Sequence, residues 1–152
     1  MTYLIFSDEY FMNEALKQAN EALHANEIPV GAIIVNQNRI IARAHNMTQQ
    51  LNDVTAHAEM IAITSASNYL GAKYLKGCTL FVTLEPCLMC AAALKWAQLD
   101  RIVYAASDPK EGFSRLREPI LHKKTEVITG ILENPASSLL KQFFLKHRDQ
   151  KH

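Results

Sequence analysis

The spacing of apolar residues changes period several times along the chain, and each change marks an element. Asp8-Glu9 leads into a stretch reaching about Ala25, where Phe11, Ala15, Ala19, Ala22 and Leu23 share one face at helical spacing. Residues 30–35, Val-Gly-Ala-Ile-Ile-Val, are apolar on both faces and predict a central strand. Asn36-Gln37-Asn38-Arg39 reads as a hairpin turn, with residues 40–44 as the returning strand. A polar loop follows from His45 to Thr55. Residues 57–69 resume a helical pattern that Gly71 closes. Residues 78–84 predict a buried strand, and Pro86 stands where proline opens a helix, here residues 87–98. Residues 101–105 predict a strand, 107–123 are irregular and charged, and 126–131 predict a fifth strand. Pro135 opens a last helix that runs past Phe144.

The order is helix, two strands, then helix and strand in alternation, ending in a helix. A hairpin followed by alternating elements implies an α/β fold: a five-stranded mixed sheet with helices on both faces. With 152 residues and no repeat or linker-like tract, the chain is expected to form a single domain over 1–152. Hydrophobic residues at 49% and charged residues at 20% argue against disorder. No apolar run approaches the ~20 residues of a membrane span. The start lacks a basic segment and soon turns acidic, so neither a membrane anchor nor a signal peptide is expected. Three cysteines are too few and odd in number for a disulfide scaffold, which favours a reducing, cytoplasmic setting. Net charge is +1, but residues 1–60 carry three basic against seven acidic side chains, and residues 61–152 thirteen against eight. A polyanion would meet the second half first.

Two clusters carry candidate chemistry, His57-Ala58-Glu59 and Pro86-Cys87-Leu88-Met89-Cys90, each at a predicted helix start. Cys87 and Cys90, three apart, share one side of a first turn, where the helix N-terminus favours thiolates. That makes a two-sulfur claw for Zn²⁺; a redox pair and a pair of buried core thiols use the same spacing. His57 adds an imidazole, a common third ligand. Residues two apart on a helix point in nearly opposite directions, so His57 and Glu59 can serve one site only if it lies over the helix end. Three protein ligands with a fourth position left for water is the catalytic arrangement, whereas structural zinc is closed by four. Glu59 is then free to carry protons. Cys78 is expected to be a buried thiol rather than a fourth ligand.

The pattern is similar to the zinc deaminase signature H-x-E…P-C-x-x-C. Within those enzymes the chain resembles the bacterial tRNA adenosine deaminases, through residues 28–32, 53–60, 80–87, Thr129-Gly130-Ile131-Leu132 and the Phe143-Phe144 helix. The likeness runs from about residue 8 to 148. It implies a cytidine-deaminase-like three-layer α/β/α fold and a homodimer. It implies zinc held by His57, Cys87 and Cys90, with Glu59 as proton shuttle. Asn46 would bond the flipped base, Ala58, Glu85 and Pro86 would complete the pocket through their backbone, and Asp108 would touch the nucleotide. The implied reaction is hydrolytic conversion of adenosine to inosine at the wobble position of a tRNA anticodon arm. Val54 stands where the family usually has proline, and the loop after Asp108 departs from the family's small-residue pattern. That departure keeps a free nucleobase deaminase, acting on guanine or cytosine, as the alternative; a zinc-bearing RNA-binding module without catalysis is the third reading. Lys110, Arg115, Arg117, Lys123 and Lys124, with Lys141, Lys146, Arg148 and Lys151, are candidate phosphate contacts. Phe143 and Phe144 suit either core packing or the flank of an RNA groove.

Overall fold

β1 (Gly31–Asn36) lies inside a five-stranded sheet in the order β2-β1-β3-β4-β5, in a computed structural model that describes residues 3–149. β2 (Arg39–His45) and β3 (Cys78–Leu84) flank it, both antiparallel. β4 (Arg101–Ala106) and β5 (Glu126–Thr129) continue the sheet in parallel. The hairpin turn tightens to Gln37-Asn38, with φ of 50° and 62°. Two successive positive φ values make the two-residue turn whose twist matches paired strands. β5 ends at Thr129 rather than at residue 131 because Gly130 turns with φ 83°.

Helices cover both faces, as the element order implies. On one side α1 (Asp8–His24) and α5 (Glu133–Asp149) pack Phe11, Met12, Ala15, Leu16 and Ala136 against Ile33, Phe81 and Val103. On the other, α3 (Ala58–Leu70) and α4 (Leu88–Ala97) pack Ala58, Ala62, Ala66 and Leu94 against Ile34, Leu80 and Ile102. The predicted helix at 87–98 begins one residue later, because Cys87 is extended and caps it. The helix expected from 57 likewise begins at Ala58, with His57 outside it. α5 starts at Glu133, two residues before Pro135, within the first turn where proline removes no helical bond. A short helix, α2 (Thr48–Leu51), interrupts the loop predicted from His45 to Thr55.

α1 approaches the sheet so closely that a Cβ on Gly31 would collide with the Ala15 carbonyl and the Ala19 nitrogen. Because β1 runs against β3 and β4, its start lies at the same sheet end as their finishes. Val30, Asn46, Glu85 and Asp108, each just outside a strand, therefore share that end. No helix among the described residues is long and apolar enough to cross a membrane.

Candidate active site

His57 and Cys87 are the cap residues of α3 and α4, with extended dihedrals (φ −73°, ψ 154° and φ −74°, ψ 176°) that leave their side chains off the helix ends. Cys90 is the third residue of α4. His57 Nδ1 lies 3.6 Å from Cys87 Sγ and 3.5 Å from Cys90 Sγ. Zinc bonds of about 2.3 Å to sulfur and about 2.0–2.1 Å to nitrogen at the tetrahedral angle separate N and S by roughly 3.6 Å. The donor set therefore fits zinc in both spacing and chemistry. The three ligating atoms lie within 4.8 Å of one another, and among the described residues no fourth His, Cys, Asp or Glu joins them. Cys78 begins β3, at the strand's other end, and its thiol donates to the Lys76 carbonyl at 3.8 Å.

The charges fit the same use. A hydrogen bond from Cys90, with help from His57, pulls the Cys87 thiol down to about 4, so it is a thiolate at neutral pH. That bond and burial push the Cys90 thiol up. The bond to Cys87 raises His57 above its ordinary value. The helix ends behind these donors add positive potential that favours anionic sulfur. Glu59, the second residue of α3, is buried, and burial pushes its carboxyl up to about 7. A carboxyl poised near neutrality can both take and return a proton.

His57, Glu59 and Cys87 line an open cleft of about 980 Å³, whereas Cys90 is fully buried and does not reach its surface. Of the residues singled out from sequence, Asn46, His57, Ala58, Glu59, Glu85, Cys87 and Asp108 line it. Pro86 does not; it is buried, and its carbonyl accepts the Phe113 N–H at 3.0 Å. Glu85 acts through its side chain as well as its position. Its two oxygens accept the Asp108 N–H at 3.0 Å and the Ser114 N–H at 2.8 Å, fixing the loop after β4. A Cβ on Gly112 would collide with that carboxyl. The Asp108 carboxylate turns back on its own loop, where Oδ1 accepts from Lys110 N and Glu111 N at 3.1 Å each.

The mouth holds Lys110, Leu140, Phe144, His147 and Arg148. The two phenylalanines divide their roles: Phe143 is 7% exposed and packs inward, whereas Phe144 is 49% exposed at the cleft. His147 was not predicted to join the site. It stacks on Phe143 with ring centroids 3.9 Å apart, one turn along α5. Glu27 was also missed; it is buried behind Asn46. His45 stays out of the cleft, and its Nδ1 donates to the Asn46 carbonyl at 3.0 Å. Lys151 lies outside the described residues.

Residues 6–106 match the family described as the cytidine and deoxycytidylate deaminase zinc-binding region, a span that contains Asn46, His57, Glu59, Cys87 and Cys90. The chain belongs to that deaminase family. The deaminase is 46% identical over 146 residues to the tRNA-specific adenosine deaminase of Aquifex aeolicus (strain VF5), covering 93% of this chain and 96% of the relative. A solved structure from work on A-to-I editing by tRNA:A34 deaminases at the wobble position of transfer RNA superposes with a TM-score of 0.82. It is 43% identical and covers 86% of this chain and 99% of that one. A guanine deaminase from Bacillus subtilis, 41% identical, gives a TM-score of 0.65 over 67% of this chain and 66% of that one. The five-stranded mixed sheet between two helical layers is thus the cytidine-deaminase-like fold.

Proposed function

We infer that this zinc-dependent deaminase converts adenosine to inosine at the wobble position of a tRNA anticodon loop. The carrying observation is the three-donor group His57, Cys87 and Cys90 beside buried Glu59, at an open cleft that His57, Glu59 and Cys87 line. Relatives named tRNA-specific adenosine deaminases match nearly the full chain at up to 46% identity, whereas the guanine deaminase of Bacillus subtilis matches two thirds of it and that of Nitrosomonas europaea, over 93% of it, is only 23% identical, which favours the RNA substrate over a free base.

Bound zinc supplies a Lewis acid that makes water a nucleophile near neutral pH. Glu59 takes a proton from the water as its oxygen bonds to C6 and delivers that proton to the purine ring nitrogen; it then takes the proton of the new C6 hydroxyl and passes it to the amino group, which leaves as ammonia as the C6–N bond breaks. Asn46 bonds the base, while Ala58 and Glu85 shape the pocket around it. Asp108 holds the loop that receives the flanking nucleotide. Extruding a base costs a few kcal/mol and least from a single-stranded loop, which suits an anticodon. Lys110 and Arg148 at the mouth are placed to meet phosphates.

The protein acts in the cytoplasm, in keeping with its three free cysteines and with a tRNA substrate. It works as a homodimer, a reading supported by the outward face of α4. Leu88, Met89, Ala92 and Ala93 are only half-buried there, and Trp96 is 72% exposed.

The deciding assay follows ammonia and inosine across a tRNA pool, free guanine and free cytosine. Inosine at the wobble adenosine is the expected result. Ammonia from guanine or cytosine, without inosine in any tRNA, would establish the nucleobase reading instead.

A further inference from the structure

Glu27 has no solvent-exposed surface, and among the described residues it forms no ion pair. It lies in the turn between α1 and β1, about twenty residues before the groups that surround it. Those groups are all donors. Oε1 accepts from Gln49 N at 3.1 Å, from Thr48 Oγ1 at 3.4 Å and from Asn46 Nδ2 at 3.5 Å, and Oε2 accepts from Gln50 N at 2.7 Å. A carboxylate is the side chain that offers two acceptor oxygens and no proton, so the pocket suits it and no neutral isostere. α2 has no side-chain cap of its own, because its cap residue is Met47. Glu27 supplies that missing acceptor from a distance. Asn46 stands between Glu27 and the cleft, 5% exposed and lining the wall. The bond to Glu27 occupies one N–H of its amide and leaves the other N–H and Oδ1 for a ligand.

We propose that Glu27 is a positioning residue: its buried carboxylate orients the Asn46 amide and the adjoining residues 48–50 so that the cleft is ready for the substrate base. This rests on the deaminase reading above. A buried acceptor with four neutral donors costs desolvation energy that a simple loop anchor does not require, and its partners end at a residue that touches the cleft.

The test uses the full-length, zinc-loaded protein and Glu27→Gln, which keeps size and shape but sets an NH₂ against donors. We expect one zinc per chain to be retained. Amide exchange should rise at least tenfold at Gln49 and Gln50 without spreading through β1. kcat/KM should fall at least tenfold on the substrate the wild type turns over, with the larger share in KM. In an Asn46→Ala background the same Glu27→Gln step should change kcat/KM less than twofold, since the group it positions is gone. Equal losses in both backgrounds, or unchanged exchange at Gln49 and Gln50, would overturn the proposal. If Glu27→Gln does not fold, Glu27→Asp, which keeps the charge but withdraws it by one methylene, carries the same comparison. A wild type inactive on every tRNA would defeat the RNA reading alone, because the exchange measurement and the cycle on a free base still decide Glu27.

Discussion

One helix end serves two purposes at positions two apart. His57 stands outside α3 with extended dihedrals, so its ring reaches the thiols; Glu59, inside the first turn, is buried at the cleft floor. Glu59→Gln keeps the shape and removes the proton carrier, so it should lower kcat by about 10²–10⁴ while metal analysis still finds one zinc per chain. A loss under tenfold with zinc retained would remove Glu59 from proton transfer. Cys87→Ser and Cys90→Ser should each release zinc and abolish turnover. Because thiolates and neutral imidazole bind the metal, affinity should also fall as pH falls, which a chelator competition across pH would show. The donor set was legible because each half is a compact cluster of rare chemistry, His57-Ala58-Glu59 and Cys87 to Cys90, although thirty residues separate the two. Glu27 was not, since nothing in Asn26-Glu27-Ile28-Pro29 announces donors supplied by residues 46–50. Asp108 was legible as a position, but its bonds to Lys110 N and Glu111 N arise from a turn that irregular sequence does not reveal.

Elements were legible wherever periodicity was strong. β1, apolar from Gly31 to Val35, is an interior strand, and α1, with its face of Phe11, Ala15, Ala19 and Ala22, packs on it. Their boundaries moved by a residue or two because caps are decided by dihedrals that pattern does not record. α2 escaped notice because Thr48-Gln49-Gln50-Leu51 has no buried residue and its capping acceptor comes from elsewhere in the chain. The contact of α1 with β1 depends on Gly31, which brings the Ala15 carbonyl within reach of the strand. Gly31→Ala should force the helix off the sheet, at about 1–3 kcal/mol. A urea titration should show a lower midpoint with an unchanged slope; an unchanged midpoint would mean that α1 moves freely at this contact.

At the scale of the whole molecule, charge and shape divide the work. Pattern predicted the layers and the mixed sheet, and it marked Leu88, Met89, Ala92, Ala93 and Trp96 as an apolar helix face that suits either the core or a dimer surface. Cys90, Ala91, Leu94 and Ala97 are the buried face of α4, which leaves Trp96 in solvent. The positive excess after residue 60 also acquires a location. Lys110 and Arg148 line the cleft mouth, and Arg115, Arg117, Lys123 and Lys124 are exposed beyond the loop that Glu85 braces. If these side chains meet phosphates, each contact releases counterions, and log affinity for RNA should fall linearly with log salt. Removing two contacts with Lys110→Ala and Arg148→Ala should reduce the magnitude of that slope by about two and weaken binding to every RNA alike. A single-stranded anticodon-loop hairpin, titrated from low to physiological salt, gives the measurement. An unchanged slope with weaker binding would mean that the two side chains act by shaping the mouth around Phe144 and His147, not by holding the backbone.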